Sequence, residues 1–210
     1  MKKIPFVNAL GIGMLSIGLA FADPAAIAQV RENAVQMLNI VNKANGKNDA
    51  QIRKQAEDYA TPYFDFKRIT AMAVGTAIWK NATPQQQQAL IDGFKHKIRS
   101  QYAGTMMAFK NAKVQVHEQP VSVKGNQVEV KTTLALSNGK KADVVFATYK
   151  SGKLYRVYDI KAEGLSIVRP FQSQFQKTVN EQGKSPKGVD YKKGIDALIA
   201  ELNGSNGGKR

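Results

Sequence analysis

Between Asn126 and Ser137 apolar and polar residues alternate, with Val128, Val130, Thr132, Leu134 and Leu136 set between Glu129, Lys131 and Thr133. A period of two marks an antiparallel strand with one buried face. Gly125-Asn126, Asn138-Gly139 and Ser151-Gly152 read as hairpin turns around it. Residues 113–118, 140–150 and 153–162 then complete a four-stranded antiparallel meander. Its apolar face needs a cover, and helices must supply it, which makes the expected fold α+β: a four-stranded antiparallel meander covered on one face by a layer of helices.

Helical periodicity lies on both sides of the sheet. Residues 25–43 place Ile27, Val30, Ala34, Met37, Leu38 and Val41 at helical spacing, and Asn45-Gly46-Lys47-Asn48 ends that run. Asn48 or Asp49 caps a second helix to about Ala60, and Asp65 caps a third over 66–74. At 84–110 Thr83, Pro84 and Gln86 form a capping box, and Leu90, Ile91, Phe94, Ile98, Tyr102, Thr105 and Phe109 share one face. At 1.5 Å per residue this helix is about 40 Å long, enough to brace a sheet along its whole length. Residues 167–182 and 191–202 return as helices, and 204–210 form a flexible tail.

The ends place the chain in a compartment. Lys2 and Lys3, an apolar run to Phe21 and Ala20-Phe21-Ala22 have the layout of a secretory signal peptide, so 1–22 is expected to be removed and 23–203 to form one domain. Pro5 and Asn8 leave too short an apolar stretch for a bilayer span. The chain has no cysteine, so its stability rests on an ordinary core rather than on disulfides. The formal net charge is +15, and loss of Lys2 and Lys3 with the leader leaves +13. An exported protein meets almost no nucleic acid. The charge therefore serves either transient contact with anionic membrane surfaces or solubility alone.

Chemistry of the catalytic kind finds no support. The two histidines, His96 and His117, lie apart from any paired carboxylate, and without cysteine or an acidic cluster no metal site is expected. Gly164-Leu165-Ser166 follows a strand, as a nucleophile elbow does, but Val168 stands where the second glycine is required. Ser166 is expected to be a helix N-cap, and Asp159 to bond backbone or Arg156. Ser137-Asn138-Gly139-Lys140 matches S-x-x-K only within a turn.

The segments that should face the sheet carry an apolar surplus, including Tyr59, Tyr63, Phe64, Phe66, Ile69, Met72, Trp79, Tyr102, Met106, Met107, Phe109, Phe146, Tyr149, Tyr155 and Phe171. An ordinary core accounts for such residues one by one. The grouping of Met72, Met106 and Met107 also suits a surface that repacks around a variable apolar guest.

Three blocks run in family order. They are Tyr63-Phe64-Asp65-Phe66-Lys67-Arg68-Ile69 with Gly75 and Trp79; Thr83-Pro84-Gln85-Gln86 with Phe94 and Tyr102; and the strand–turn–helix segment 155–175. Together they resemble the MlaC family of periplasmic phospholipid carriers, also called the toluene-tolerance auxiliary family. The resemblance implies a periplasmic, non-enzymatic protein with no resident cofactor, holding phospholipid cargo in an apolar cavity between sheet and helices. It further implies lipid delivery between an outer-membrane lipoprotein complex and an inner-membrane ABC transporter with an MCE-domain ring, in maintenance of outer-membrane asymmetry. Matching positions suggest Phe64, Phe66, Ile69, Trp79, Tyr102, Leu165, Val168 and Phe171 as cavity or cavity-support residues, to which the surplus adds Met72, Met106 and Phe146. Pro170, just inside the last signature helix, and the Gly-rich tail depart from the family pattern; a proline there is tolerated only in a first turn. Two other readings are a carrier or chaperone for another hydrophobic ligand, and a hydrolase using Ser166 or Asp159.

Overall fold

A computed structural model describes residues 24–207. The expected leader, 1–22, and the last three residues lie outside them. The chain runs α1 (Pro24–Val41), α2 (Asp49–Ala60), a 3-10 turn (Thr61–Tyr63), α3 (Phe66–Val74), α4 (Thr76–Asn81) and α5 (Pro84–Ala108). The sheet follows as β1 (Lys113–Val116), β2 (Ser122–Lys124), β3 (Gln127–Ala135), β4 (Lys141–Ser151), β5 (Leu154–Ala162) and β6 (Leu165–Ser166). Then come α6 (Arg169–Gln182), a small hairpin of β7 (Lys184–Ser185) and β8 (Gly188–Val189), and α7 (Tyr191–Gly207). The last helix runs past Leu202, where its apolar pattern stops.

The fold is α+β, and the expected meander is present as β1-β3-β4-β5, antiparallel throughout. Two short strands extend it: β2 also pairs with β3, and β6 folds back on β5. One face is apolar. Val128, Val130, Thr132 and Leu134 of β3 stand opposite Thr148, Phe146, Val144 and Ala142 of β4, so all share it. Its two buried threonines are satisfied by strand carbonyls, Thr132 Oγ1 donating to Val144 O at 3.1 Å and Thr148 Oγ1 to Val128 O at 2.8 Å. The opposite face carries ion pairs, Lys131 with Asp143 at 2.6 Å and Lys161 with Glu129 at 2.7 Å. His117 Nε2 lies 3.0 Å from Thr133 Oγ1, and His96 is exposed.

The outer edge of β5 is closed by three pieces distant from one another in the chain. Gln29 of α1 docks its side-chain amide like a strand, Nε2 donating to Tyr155 O at 2.6 Å and Oε1 accepting from Tyr155 N at 2.8 Å. Asp65 N donates to Val157 O at 2.9 Å beside a parallel bridge from Phe64 to Val157. Ile167 N donates to Ile160 O at 2.9 Å, and β6 covers Lys161 and Ala162. An edge sealed in this way offers no template to another chain.

The helix signals were accurate where a side chain could act locally. Thr83 and Gln86 form the capping box, with Gln86 N to Thr83 Oγ1 at 3.2 Å and Thr83 N to Gln86 Oε1 at 3.0 Å. Gln86 Nε2 also reaches Asp196 Oδ1 at 2.7 Å, which ties α5 to α7. Asn48 is the residue before α2, yet its Oδ1 accepts from Asn45 N at 2.9 Å rather than from the helix. The turn ahead of α2 consumes its capping oxygen.

Candidate functional site

The block 63–69 builds a clasp between helices and sheet. Asp65 Oδ1 caps α3 by accepting from Arg68 N at 2.9 Å, and its Oδ2 accepts from Tyr149 OH. That bond to Asp65 raises the Tyr149 pKa, because losing the phenol proton would set two negative charges together. One turn on, the Arg68 guanidinium lies over two rings, 4.2 Å from the Tyr158 centroid and 4.6 Å from that of Tyr149. Tyr158 OH completes the group by donating to Gln127 Oε1 at 3.0 Å.

Apolar side chains of the described residues bury into two separate clusters. One is helical, built from Ile69, Leu90, Phe94, Val168, Phe171, Phe175 and Leu198 among others. Phe94 meets Phe171 and Phe175 edge-on, at 4.9 and 5.3 Å between centroids. The other lies on the sheet, where Ala26, Ile27 and Val30 of α1 pack on Val116, Val128, Val130 and Tyr155.

Helix α5 does not brace the sheet along its length, contrary to expectation. Its main partners are α7, α3 and α2, and it makes no extensive contact with a strand. The reason lies in the first half of the helix. Gly93 lets α7 approach so closely that a Cβ there would meet Leu202 Cβ at 2.9 Å, which commits this half to the helical cluster. Beyond it Tyr102, Met106, Met107 and Phe109 are half-buried and belong to neither cluster. Burial raises the Tyr102 pKa. On the sheet side Leu134, Phe146 and Ile160 of the apolar face are likewise only half-buried. Incompletely covered apolar groups thus lie outside the helical cluster, on the distal part of α5, and on the apolar face of the sheet.

The joint from β5 to α6 differs in detail from its expected form. A reversal at Glu163 and Gly164, φ +48° and +79°, leads into β6 before the helix begins. Ser166 is not the N-cap, a position Val168 holds, but its Oγ accepts from Val168 N at 3.2 Å and Arg169 N at 3.1 Å and so serves the same orphan donors. Pro170 falls in the first turn, where its missing N–H costs nothing. Asp159 is buried, at 4% exposure, with no hydrogen-bond partner for its Oδ1, and the polar groups that act on its carboxyl are Ser166 and the Ile160 backbone rather than Arg156. Burial pushes its carboxyl above the ordinary range, against the pull of those two groups and of Lys161 and Arg169.

Two open grooves flank this joint. One, of about 400 Å³, runs between α3–α4 and the start of α6 and is lined by Arg68, Met72, Gly75, Thr76, Val168, Arg169 and Gln172 among others. The other, of about 620 Å³, is lined by Lys161, Gly164, Leu165, Ser166, Arg169 and Pro170.

The residues singled out from the sequence therefore occupy four settings. Ile69, Val168 and Phe171 are buried members of the helical cluster, with Phe64, Phe66, Met72 and Trp79 half-buried around it. Tyr102 and Met106 lie on the distal half of α5, and Phe146 packs beside the sheet cluster. Leu165 stands at the β6 turn, 75% exposed. Arg68, Arg169 and Gln29 escaped notice as functional groups. Arg68 carried one signal, its place a helical turn after the capping Asp65; the other two depend on partners far along the chain. Among the described residues no group of three metal-ligating side chains forms, and no helix is long and apolar enough to cross a membrane.

A family model described as MlaC protein matches residues 29–204. The chain is 21% identical over 192 residues to the intermembrane phospholipid transport system binding protein MlaC of Haemophilus influenzae, a match spanning 89% of this chain and 84% of that protein. Its structure is similar to that of a phospholipid-binding protein from Ralstonia solanacearum solved in complex with a phospholipid. That similarity has a TM-score of 0.69 and 29% identity, and covers 85% of this chain and 98% of the other.

Proposed function

This chain belongs to the MlaC family, and from that premise we propose that it binds phospholipid, with the acyl chains held between the distal half of α5 and the apolar face of the sheet. The observation that carries this reading is the half-buried set Tyr102, Met106, Met107 and Phe109 lying outside both buried clusters. Each methylene moved from water into such a seam gains about 0.8 kcal/mol, so two acyl chains are strongly held against release into water. A bilayer offers the chains nearly the same environment. Exchange between membrane and protein then runs near balance, needs no covalent chemistry, and takes its direction from partners.

In this reading Phe64, Phe66, Tyr102, Met106 and Phe146 line the seam, while Ile69, Trp79, Val168 and Phe171 hold its helical wall. Leu165 marks the exposed mouth. The protein acts in the periplasm after loss of its leader and shuttles lipid between an outer-membrane lipoprotein complex and an inner-membrane MCE-domain ABC transporter. Ser166 Oγ accepts two backbone N–H groups at the start of α6, which gives that serine a structural role, so a carrier is favoured over a hydrolase. Solvent extraction and mass spectrometry of the protein purified from cells is the test. Near-stoichiometric diacyl phospholipid is expected; a different hydrophobic ligand, or free fatty acid generated by the protein from added lipid, would refute it.

A further inference from the structure

The groove between α3–α4 and α6 has a positive lining. Arg68 and Arg169 line it from two helices, Thr76 and Gln172 add a hydroxyl and an amide, and none of its lining residues is a carboxylate. Ion pairs among the described residues use neither arginine. Arg68 is also held in place, because its guanidinium is stacked on Tyr158 and Tyr149. A fixed guanidinium loses little freedom when it binds an oxyanion. Gly75 keeps the floor open. At φ +83° it holds a conformation side chains rarely adopt, and a Cβ there would meet Gln176 Nε2 at 2.9 Å and Gln172 Nε2 at 3.2 Å. The nearby carboxylate of Asp159 is favoured by Arg169 but is buried and outside the lining.

We propose that this groove is a phosphoryl-binding site, in which Arg68 and Arg169 take the oxygens of a phosphate ester from two sides and Thr76 and Gln172 add neutral donors. Guanidinium–phosphate bonds are among the stronger hydrogen bonds in proteins and are set by geometry as well as charge. The phosphate belongs either to the headgroup of a carried lipid, an option that rests on the phospholipid-carrier reading, or to a free phosphate ion. In the first case the protein selects its cargo by the phosphate as well as by the tails.

The test uses the full processed chain after delipidation. Vesicles containing phosphatidylglycerol and diacylglycerol with the same acyl chains, in equal amounts, are offered as donors, and the extracted ratio is read by mass spectrometry. Inorganic phosphate is titrated separately by phosphorus NMR. The parent is expected to favour phosphatidylglycerol about tenfold, as loss of one charge-assisted bond would imply. Arg169→Gln and Thr76→Val, both at exposed positions, should bring the ratio towards one, whereas Lys177→Gln, on α6 outside the groove, should not.

An equal uptake of both lipids by the parent, with phosphate binding that Arg169→Gln abolishes, assigns the site to the free ion. Lack of selection together with lack of phosphate binding overturns the site, and so does an equal effect of Lys177→Gln. In either of those results continued extraction of both lipids leaves the carrier reading standing. If the protein takes up no lipid, that reading fails and the phosphate titration alone decides the groove.

Discussion

Replacing Met106 by glutamate separates a ligand seam from a core. Met106 is half-buried and lies outside both apolar clusters, so the fold has little to lose, about 0.5–1 kcal/mol for a site of this kind. A bound acyl chain would lose far more. A carboxylate at this position forces roughly two or three methylenes out of contact, at about 0.8 kcal/mol each. The sum of about 2 kcal/mol weakens lipid retention some 30-fold. Phe94→Ala is the counterpart: Phe94 is 1% exposed and meets two rings edge-on, and emptying such a position costs about 3–5 kcal/mol. For a domain of this size that lowers the melting temperature by about 10 °C. The assay pairs thermal unfolding with lipid uptake from limiting vesicles. Met106→Glu should melt within a few degrees of the parent and take up little lipid. Full uptake by the folded variant would remove α5 from the seam, and a melting point as low as that of Phe94→Ala would make Met106 part of the core.

Burial sets a pH dependence at Asp159. Its raised pKa means that the folded state holds the proton more tightly than the unfolded state, so its contribution is complete below the unfolded value of about 3.9 and is lost as pH rises through the folded one. Melting curves across that range should show the parent losing ground to Asp159→Asn with rising pH, and a constant gap would place the carboxylate in a wetter setting. Gly194→Ala should destabilise by more than about 2 kcal/mol, since its Cβ would meet Val179 O at 2.3 Å; denaturant unfolding indistinguishable from the parent would mean that α6 and α7 pack less closely. Docking of the protein to anionic vesicles should weaken as salt shortens the Debye length below about 8 Å, while bound lipid stays in place. Docking indifferent to salt would leave the net charge a solubility device.

The parts legible in the sequence were those whose cause lies within a few residues. The alternation of β3 named both faces of the sheet, and Thr83 with Gln86 located the start of α5 to the residue. Thr132 and Thr148 look like flaws on an apolar face until their hydroxyls are seen on strand carbonyls. The register shift between Ala147 and Thr148, which leaves Tyr158 without a pairing partner in β4, has no local signature. The same holds for α4, six residues placed after the left-handed Gly75. Arg68 needs rings 81 and 90 positions further along the chain, and Gln29 bonds across a separation of 126. The seam was half legible: Tyr102 and Met106 stood out as surplus, but their exclusion from both clusters follows from how Gly93 commits the first half of α5.

The sealed rim of β5 also sets how the molecule can deform. Pieces of α1, of the turn before α3 and of the approach to α6 are all bonded to that one strand, so it works as the spine of a binding to which the helical leaves are stitched. Leaves stitched at the spine part along the fore-edge. There the segments that follow α1 and α5 are joined by a bond from Asn111 N to Asn42 Oδ1 at 2.7 Å. Bulkier contents would thicken the volume on that side alone, and the stitched side would keep its register whatever lay between the leaves.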